Sequence, residues 1–99
     1  MADVIYSKKL FDNQSVSAGT YSDNFYINLA DSLTLFINTD VDAEIILQVN
    51  DGFDWQNVDT IETTAGTECI KHYFSIWGHL ARLLVNTDCT ITAKYIVKR

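Results

Sequence analysis

Asn50-Asp51-Gly52-Phe53-Asp54-Trp55 parts two unlike runs: the apolar, β-branched Ala43 to Val49 before it, and the mixed Trp55 to Thr63 after it. Asp-Gly between such runs is a strong hairpin signal, because glycine accepts a positive φ with no Cβ to clash. Working outward, the sequence on one side of this reversal repeats on the other. Ser17-Ala18-Gly19-Thr20 returns as Thr64-Ala65-Gly66-Thr67 at an offset of 47, and Ile37-Asn38-Thr39-Asp40 as Val85-Asn86-Thr87-Asp88 at 48. One residue has therefore slipped between the two anchors. Between them Tyr26-Ile27 lines up with Tyr73-Phe74, Leu29 with Ile76, and Leu35 to Ile37 with Leu83 to Val85. Beyond them Ala43, Ile45, Leu47 and Val49 match Ile91, Ala93, Tyr95 and Val97. Two copies are too few for a repeat array. They read as halves, about residues 15–50 and 62–97, of one closed domain spanning residues 1–99; coincidence among β-rich segments is the competing account.

Nowhere does an apolar period of 3.6 persist. The pattern predicts eight strands: Asp3 to Phe11, Tyr21 to Leu29, Leu33 to Thr39, Ala43 to Val49, Trp55 to Glu62, Cys69 to Ile76, Leu80 to Asn86 and Thr90 to Lys98. Residues 72–85 are the stretch that propensity makes ambiguous, and their Tyr, Phe, Ile, Trp and Val content favours strand. Short strands at about ten-residue spacing predict an all-β fold, an antiparallel β-sandwich with jelly-roll or Greek-key wiring. Alternation sends Leu33, Leu35, Ile37, Ala81, Leu83 and Val85 inward, with Ala43, Ile45, Leu47, Val49, Ile91, Ala93, Tyr95 and Val97. Phe25, Ile27, Leu29, Phe74 and Ile76 are expected opposite them, from the facing sheet. The other parity leaves Phe36, Ile46, Leu84 and Ile96 outside. Four large apolar residues on one outer face would form a patch that a lone soluble protein rarely leaves open, hence a subunit interface, unless a loop or the N-terminal segment covers them or they are scattered.

Ninety-nine residues carrying 47% hydrophobic and 20% charged side chains suit one domain with a real core. A net charge of −6 argues against nucleic acid and anionic membrane surfaces as partners. Met1-Ala2-Asp3-Val4 lacks the basic and apolar segments of a signal peptide, so the chain reads as a small complete frame made in a cytoplasm. Cys69 and Cys89 fit neither a zinc cluster nor a redox pair, and buried free thiols are expected, with a disulfide or intermolecular link as the alternative.

Chemistry leaves little mark on this sequence. His72 falls at an inward strand position and His79 in a turn, and no nucleophile motif or phosphate loop accompanies them. No catalytic residue, cofactor or enzymatic activity is expected. Asp40, Asp42, Asp51, Asp54 and Asp88 can offer oxygen ligands to a hard cation such as calcium. They are also ordinary turn residues whose side chains bond nearby backbone, and that role is preferred. Trp55 and Trp77, with Phe53, Tyr21 and Tyr73, are candidates for an aromatic ligand platform, though core or interface packing is the commoner fate of such rings.

Ile46-Leu47-Gln48-Val49-Asn50-Asp51-Gly52-Phe53-Asp54-Trp55-Gln56-Asn57-Val58 resembles the "V-x-x-S-x-D-G-x-x-W-x-x-V" hairpin of small β-sandwich modules. Thr64-Ala65-Gly66-Thr67 and Ala81-Arg82-Leu83-Leu84-Val85-Asn86 are similar to the "A-A-G-T" and "Y-V-R-L-x-V" segments that follow it there. Such modules occur in phage virion proteins (head decoration and tail accessory subunits), in related bacterial proteins, and more loosely in discoidin-like carbohydrate-binding domains. The likeness spans about residues 43–97, with Asn50 in place of the usual Ser and Ala81 in place of an aromatic-Val pair. It implies a homo-oligomeric virion protein assembled in the host cytoplasm, with other virion or shell proteins as partners. The alternative is a carbohydrate-binding or adhesin-like module using Trp77, Trp55 and turn aspartates. In the module Trp55 is expected to pack over the hinge strands and Arg82 to face outward beside an acidic neighbour.

Overall fold

The computed structural model describes residues 4–28 and 30–99. Among them nine strands form: β1 (Val4–Val16), β2 (Thr20–Tyr21), β3 (Phe25–Tyr26), β4 (Ser32–Thr39), β5 (Ala43–Asn50), β6 (Trp55–Thr63), β7 (Cys69–Phe74), β8 (Leu80–Val85) and β9 (Cys89–Lys98). They build an antiparallel sandwich of two sheets, ordered β1-β9-β4-β7 and β2-β8-β5-β6, with β3 also pairing with β8. Most successive strands lie in different sheets, as jelly-roll wiring requires. The β5–β6 connection stays within one sheet, and it is the Asp-Gly hinge. Asn50 pairs with Trp55, and Asp51 Oδ1 accepts the amides of Phe53 and Asp54, both at 2.8 Å. Those two donors hold the exposed Asp51 carboxyl below the usual carboxylate range.

The register shows how the halves interlock. In the β4–β9 ladder Leu33 faces Val97, Leu35 faces Tyr95 and Ile37 faces Ala93. In the β8–β5 ladder Ala81 faces Val49, Leu83 faces Leu47 and Val85 faces Ile45. Adding 48 to the β4 number and subtracting 48 from the β9 number turns the first ladder into the second. Each half thus contributes one central strand to each sheet, and each central strand pairs with a strand of the other half. The two repeated turns share their chemistry as well. Thr20 N donates to Ser17 O and Thr67 N to Thr64 O, with Gly19 and Gly66 at positive φ, 92° and 72°. The Ala18 amide is held by Asp88 at 2.7 Å and the Ala65 amide by Asp42 at 2.9 Å.

Leu33, Leu35, Ile37, Ile45, Leu47, Leu83, Val85, Ile91 and Val97 are fully buried, and Phe25, Ile27 and Ile61 join them in one core. Burying a side chain of this size is worth about 1.5–3 kcal/mol each. Two bridges close the long sides of the sandwich. Tyr73 on β7 donates its hydroxyl to Asp59 on β6 at 2.7 Å, and Phe25 on β3 stacks on Tyr95 of β9 at 4.2 Å between ring centroids.

Four expectations are corrected. β7 runs with the parity opposite to that expected: Phe74 is 77% exposed, His72 lies outside bonded to Thr34, and Tyr73 turns inward against the core. The cause is the position of the slipped residue. Phe25 pairs with Ala81 and Tyr73 with Leu33, so the offset is already 48 at residue 25. Aligning Tyr26-Ile27 with Tyr73-Phe74 was one residue out, and one residue reverses a strand's faces. Second, β3 and β7 lie in different sheets, as do β4 and β8, so the expected division of core residues between sheets does not hold. Third, β1 extends to Val16 through three register shifts against β9. Fourth, the strand expected over Tyr21 to Leu29 is two short pieces. Of the remaining core expectations, Ile76 is partly buried against the core, while Leu29 and Asp3 lie outside the described residues.

Candidate interaction surfaces

The four apolar residues expected to form one outer patch are divided two and two. Phe36 (β4) and Ile96 (β9) stand on the outer face of the first sheet, partly buried, beside Ile70, which is 57% exposed, and Phe74. Phe36 pairs laterally with both Ile70 and Lys94, and the Lys94 ammonium lies 5.6 Å from its ring centroid. Lys94 in turn stands directly across from Lys9 of β1. A groove of about 350 Å³ opens here, lined by Ser7, Lys9, Phe36, Lys94 and Ile96. Ile46 (β5) and Leu84 (β8) are cross-strand partners on the outer face of the second sheet, on the far side of the sandwich. Next to them Glu44 stands across from Glu62.

The second face also carries a stacked cation. The Arg82 guanidinium lies 3.9 Å from the Tyr21 ring centroid and 4.0 Å from that of Trp55. Its Nε donates to Gln48 Oε1 at 2.8 Å, and Gln48 Nε2 donates to Asn57 Oδ1 at 2.8 Å. A planar, weakly hydrated guanidinium suits such a slot better than an ammonium would. The acidic neighbour expected for Arg82 is replaced by an amide and two rings. Tyr21 and Trp55, two of the rings offered as candidates for a ligand platform, hold a cation of their own chain between them.

Trp77 is elsewhere. It sits in the β7–β8 connection, 85% exposed, beside a cleft of about 820 Å³ that also takes in Asn28, Asp31, Ser75 and Arg99. Phe53, at the hinge tip, is 91% exposed. The aromatic residues grouped from the sequence as one candidate platform thus lie in separate places of the fold. Their partners are distant in the chain, and no spacing rule links Tyr21 to Arg82.

Four of the five turn aspartates, Asp40, Asp42, Asp51 and Asp88, accept backbone amides, while Asp54 is exposed and takes part through its own backbone. Asp40 Oδ1 accepts the Thr90 amide at 2.8 Å, while Asp42, Asp51 and Asp88 cap the turns already described. Among the described residues no three His, Cys, Asp or Glu groups gather as a metal site would require. Both cysteines are free, Cys89 buried and Cys69 partly so. Burial, then the charges of Asp40 and Asp88, push the Cys89 thiol above its ordinary range, so it is a poor nucleophile. His79 is exposed and meets Tyr26 edge-on, with ring centroids 5.6 Å apart.

No protein-family model and no curated protein sequence matches the chain. Solved structures do. The SPBc2 prophage-derived protein YomS matches over 100% of this chain and 96% of its own, at TM-score 0.67 and 18% identity. The PBSX exported protein XepA matches 98% of this chain at TM-score 0.65 and 10% identity, with this chain spanning 36% of its length. A family 6 carbohydrate-binding module, solved for dissection of its binding sub-sites, matches 100% of this chain and 86% of its own at TM-score 0.58 and 14% identity. At these identities the likeness is one of fold, shared with a prophage-derived protein, a PBSX exported protein and a carbohydrate-binding module.

Proposed function

We propose that the chain is a non-enzymatic virion subunit of a bacteriophage, a small capsid decoration or tail accessory protein that acts through its sheet faces. The carrying observation is the nearly complete mutual coverage with a prophage-derived protein, 100% and 96% of the two chains. The partly exposed apolar residues on both outer faces support it, because sheet faces of this kind ordinarily have partners. Particles induced from cells carrying the gene, purified by density, are expected to retain the chain at constant stoichiometry. Its presence in the soluble lysate alone would overturn this reading.

A second reading, a carbohydrate-binding module, is favoured by one observation. The exposed Trp77 indole stands beside a cleft bearing amide, carboxylate and hydroxyl groups, the combination that stacks and hydrogen-bonds a sugar. Glycan-array binding lost in Trp77→Ala would establish it. A calcium-dependent rise in melting temperature would add the turn aspartates to it.

A further inference from the structure

The two outer faces are frustrated in opposite senses. Lys9 and Lys94 are direct cross-strand partners on the first sheet; Glu44 and Glu62 are direct partners on the second. Like charges directly opposite in a ladder are destabilising. Among the described residues they are relieved only slightly, by an exposed Lys9–Asp12 contact at 3.3 Å, by the Phe36 ring 5.6 Å from the Lys94 ammonium, and by the Asn86 amide on Glu44 at 3.1 Å. Each pair adjoins apolar surface: Phe36 and Ile70 beside Lys94, Ile46 and Leu84 beside Glu44. A two-fold contact of either face with itself would set Lys upon Lys or Glu upon Glu. The face of one copy that carries the lysines complements the face of another that carries the glutamates.

We infer that copies of this chain bind one another front to back, the β1-β9-β4-β7 face of one seated on the β2-β8-β5-β6 face of the next. Lys9 and Lys94 meet Glu44 and Glu62, and Phe36 and Ile96 cover Ile46 and Leu84. The Cα slab measures 34 × 31 × 18 Å, so its broad face has room for the ~800 Å² per partner of a standard interface. Because the two surfaces are on opposite sides of the slab, every contact leaves one free face at each end. The product is an open stack, or a ring if the rotation closes. This deepens the virion reading, resting on it only for where assembly takes place.

Light scattering over a concentration series tests the inference, with circular dichroism to confirm that each variant folds. The wild type is expected to exceed its monomer mass of 11.2 kDa and to fall back toward it as salt rises. Phe36→Asp blocks the first face and Leu84→Asp the second. Each alone is expected to be monomeric, and their equimolar mixture to give a dimer that grows no further, since one intact face of each kind remains. Lys9→Glu/Lys94→Glu and Glu44→Lys/Glu62→Lys are each expected to weaken self-association by ~10-fold or more, and mixing these two is expected to restore it. A wild type that stays monomeric throughout, or blocked variants whose mixture stays monomeric, would overturn front-to-back binding. If such a monomer still purified with particles, the stack would be lost and the virion role kept.

Discussion

The inside and the outside of this sandwich keep different records of the same repeat. Inward positions of β4 and β8 correspond in kind: Leu33 with Ala81, Leu35 with Leu83, Ile37 with Val85. So do those of β5 and β9, Ile45 with Ala93, Leu47 with Tyr95 and Val49 with Val97. Outward positions at the same offset mostly do not, Phe36 with Leu84 being the pair that agrees in apolar character. Thr34 corresponds to Arg82, Phe36 to Leu84, Glu44 to Thr92, Ile46 to Lys94 and Gln48 to Ile96. A core asks only for apolar volume in the right place, and both halves meet that demand alike. The outer faces answer to whatever lies against them, and here one has become basic and aromatic, the other acidic with a caged arginine.

If that division is real, equivalent core positions must cost alike when cut back. Leu35 and Leu83 are both fully buried and sit in matching ladder positions of different sheets. Leu35→Ala and Leu83→Ala are each expected to lose about 2–5 kcal/mol, read from urea midpoints at unchanged slope. A loss below ~1 kcal/mol at either site would show that the two halves do not share the core equally.

A smaller effect sharpens the boundary between inside and outside, at the bridge from β7 to β6. Tyr73→Phe deletes the hydroxyl bond to Asp59 and is expected to cost about 1 kcal/mol at neutral pH. Burial first, then the Asp59 hydrogen bond and charge, raise the Tyr73 phenol above its ordinary value of 10.0. The folded state then holds its proton at pH values where the unfolded chain releases it. Stability from this group is full below pH 10 and declines as pH climbs above it. Tyr73→Phe is expected to flatten that alkaline decline, leaving the shares due to Tyr95 and Cys89, whose phenol and thiol are also raised by burial. An alkaline slope unchanged from wild type would place Tyr73 outside the closure of the sandwich.

The same division explains what could be read from the sequence. Alternation and Asp-Gly chemistry are local, so the extents of β4, β5, β6 and β8 and nearly all of the buried set were legible. The faces of β7 were not, because the slipped residue lies between Gly19 and Phe25, in a stretch too irregular to show where the offset changes. Placing it there would have exposed Phe74 and turned Tyr73 inward. On the outer faces the residue types were visible and their neighbours were not. Lys9 and Lys94 are 85 positions apart, and their pairing follows from β1 lying beside β9.

Arg82 gives the mildest test and the most direct one of what an outer face contributes. Its partly buried side chain lies on the outer face of the sheet, so losing it opens no cavity in the core. Arg82→Met keeps the stem but removes the Gln48 bond and the cation between Tyr21 and Trp55. Exposed cation–π contacts and a single hydrogen bond together suggest a cost of about 1 kcal/mol. In a Trp77→Phe background Trp55 is the one indole left, and its emission is expected to move to the red as the ring loses its cover. Arg82→Lys should not restore it, because an ammonium has no planar face to lie between two rings. A loss above ~3 kcal/mol would mean that this face helps hold the fold together. An unmoved emission would mean that Trp55 keeps its place without the arginine.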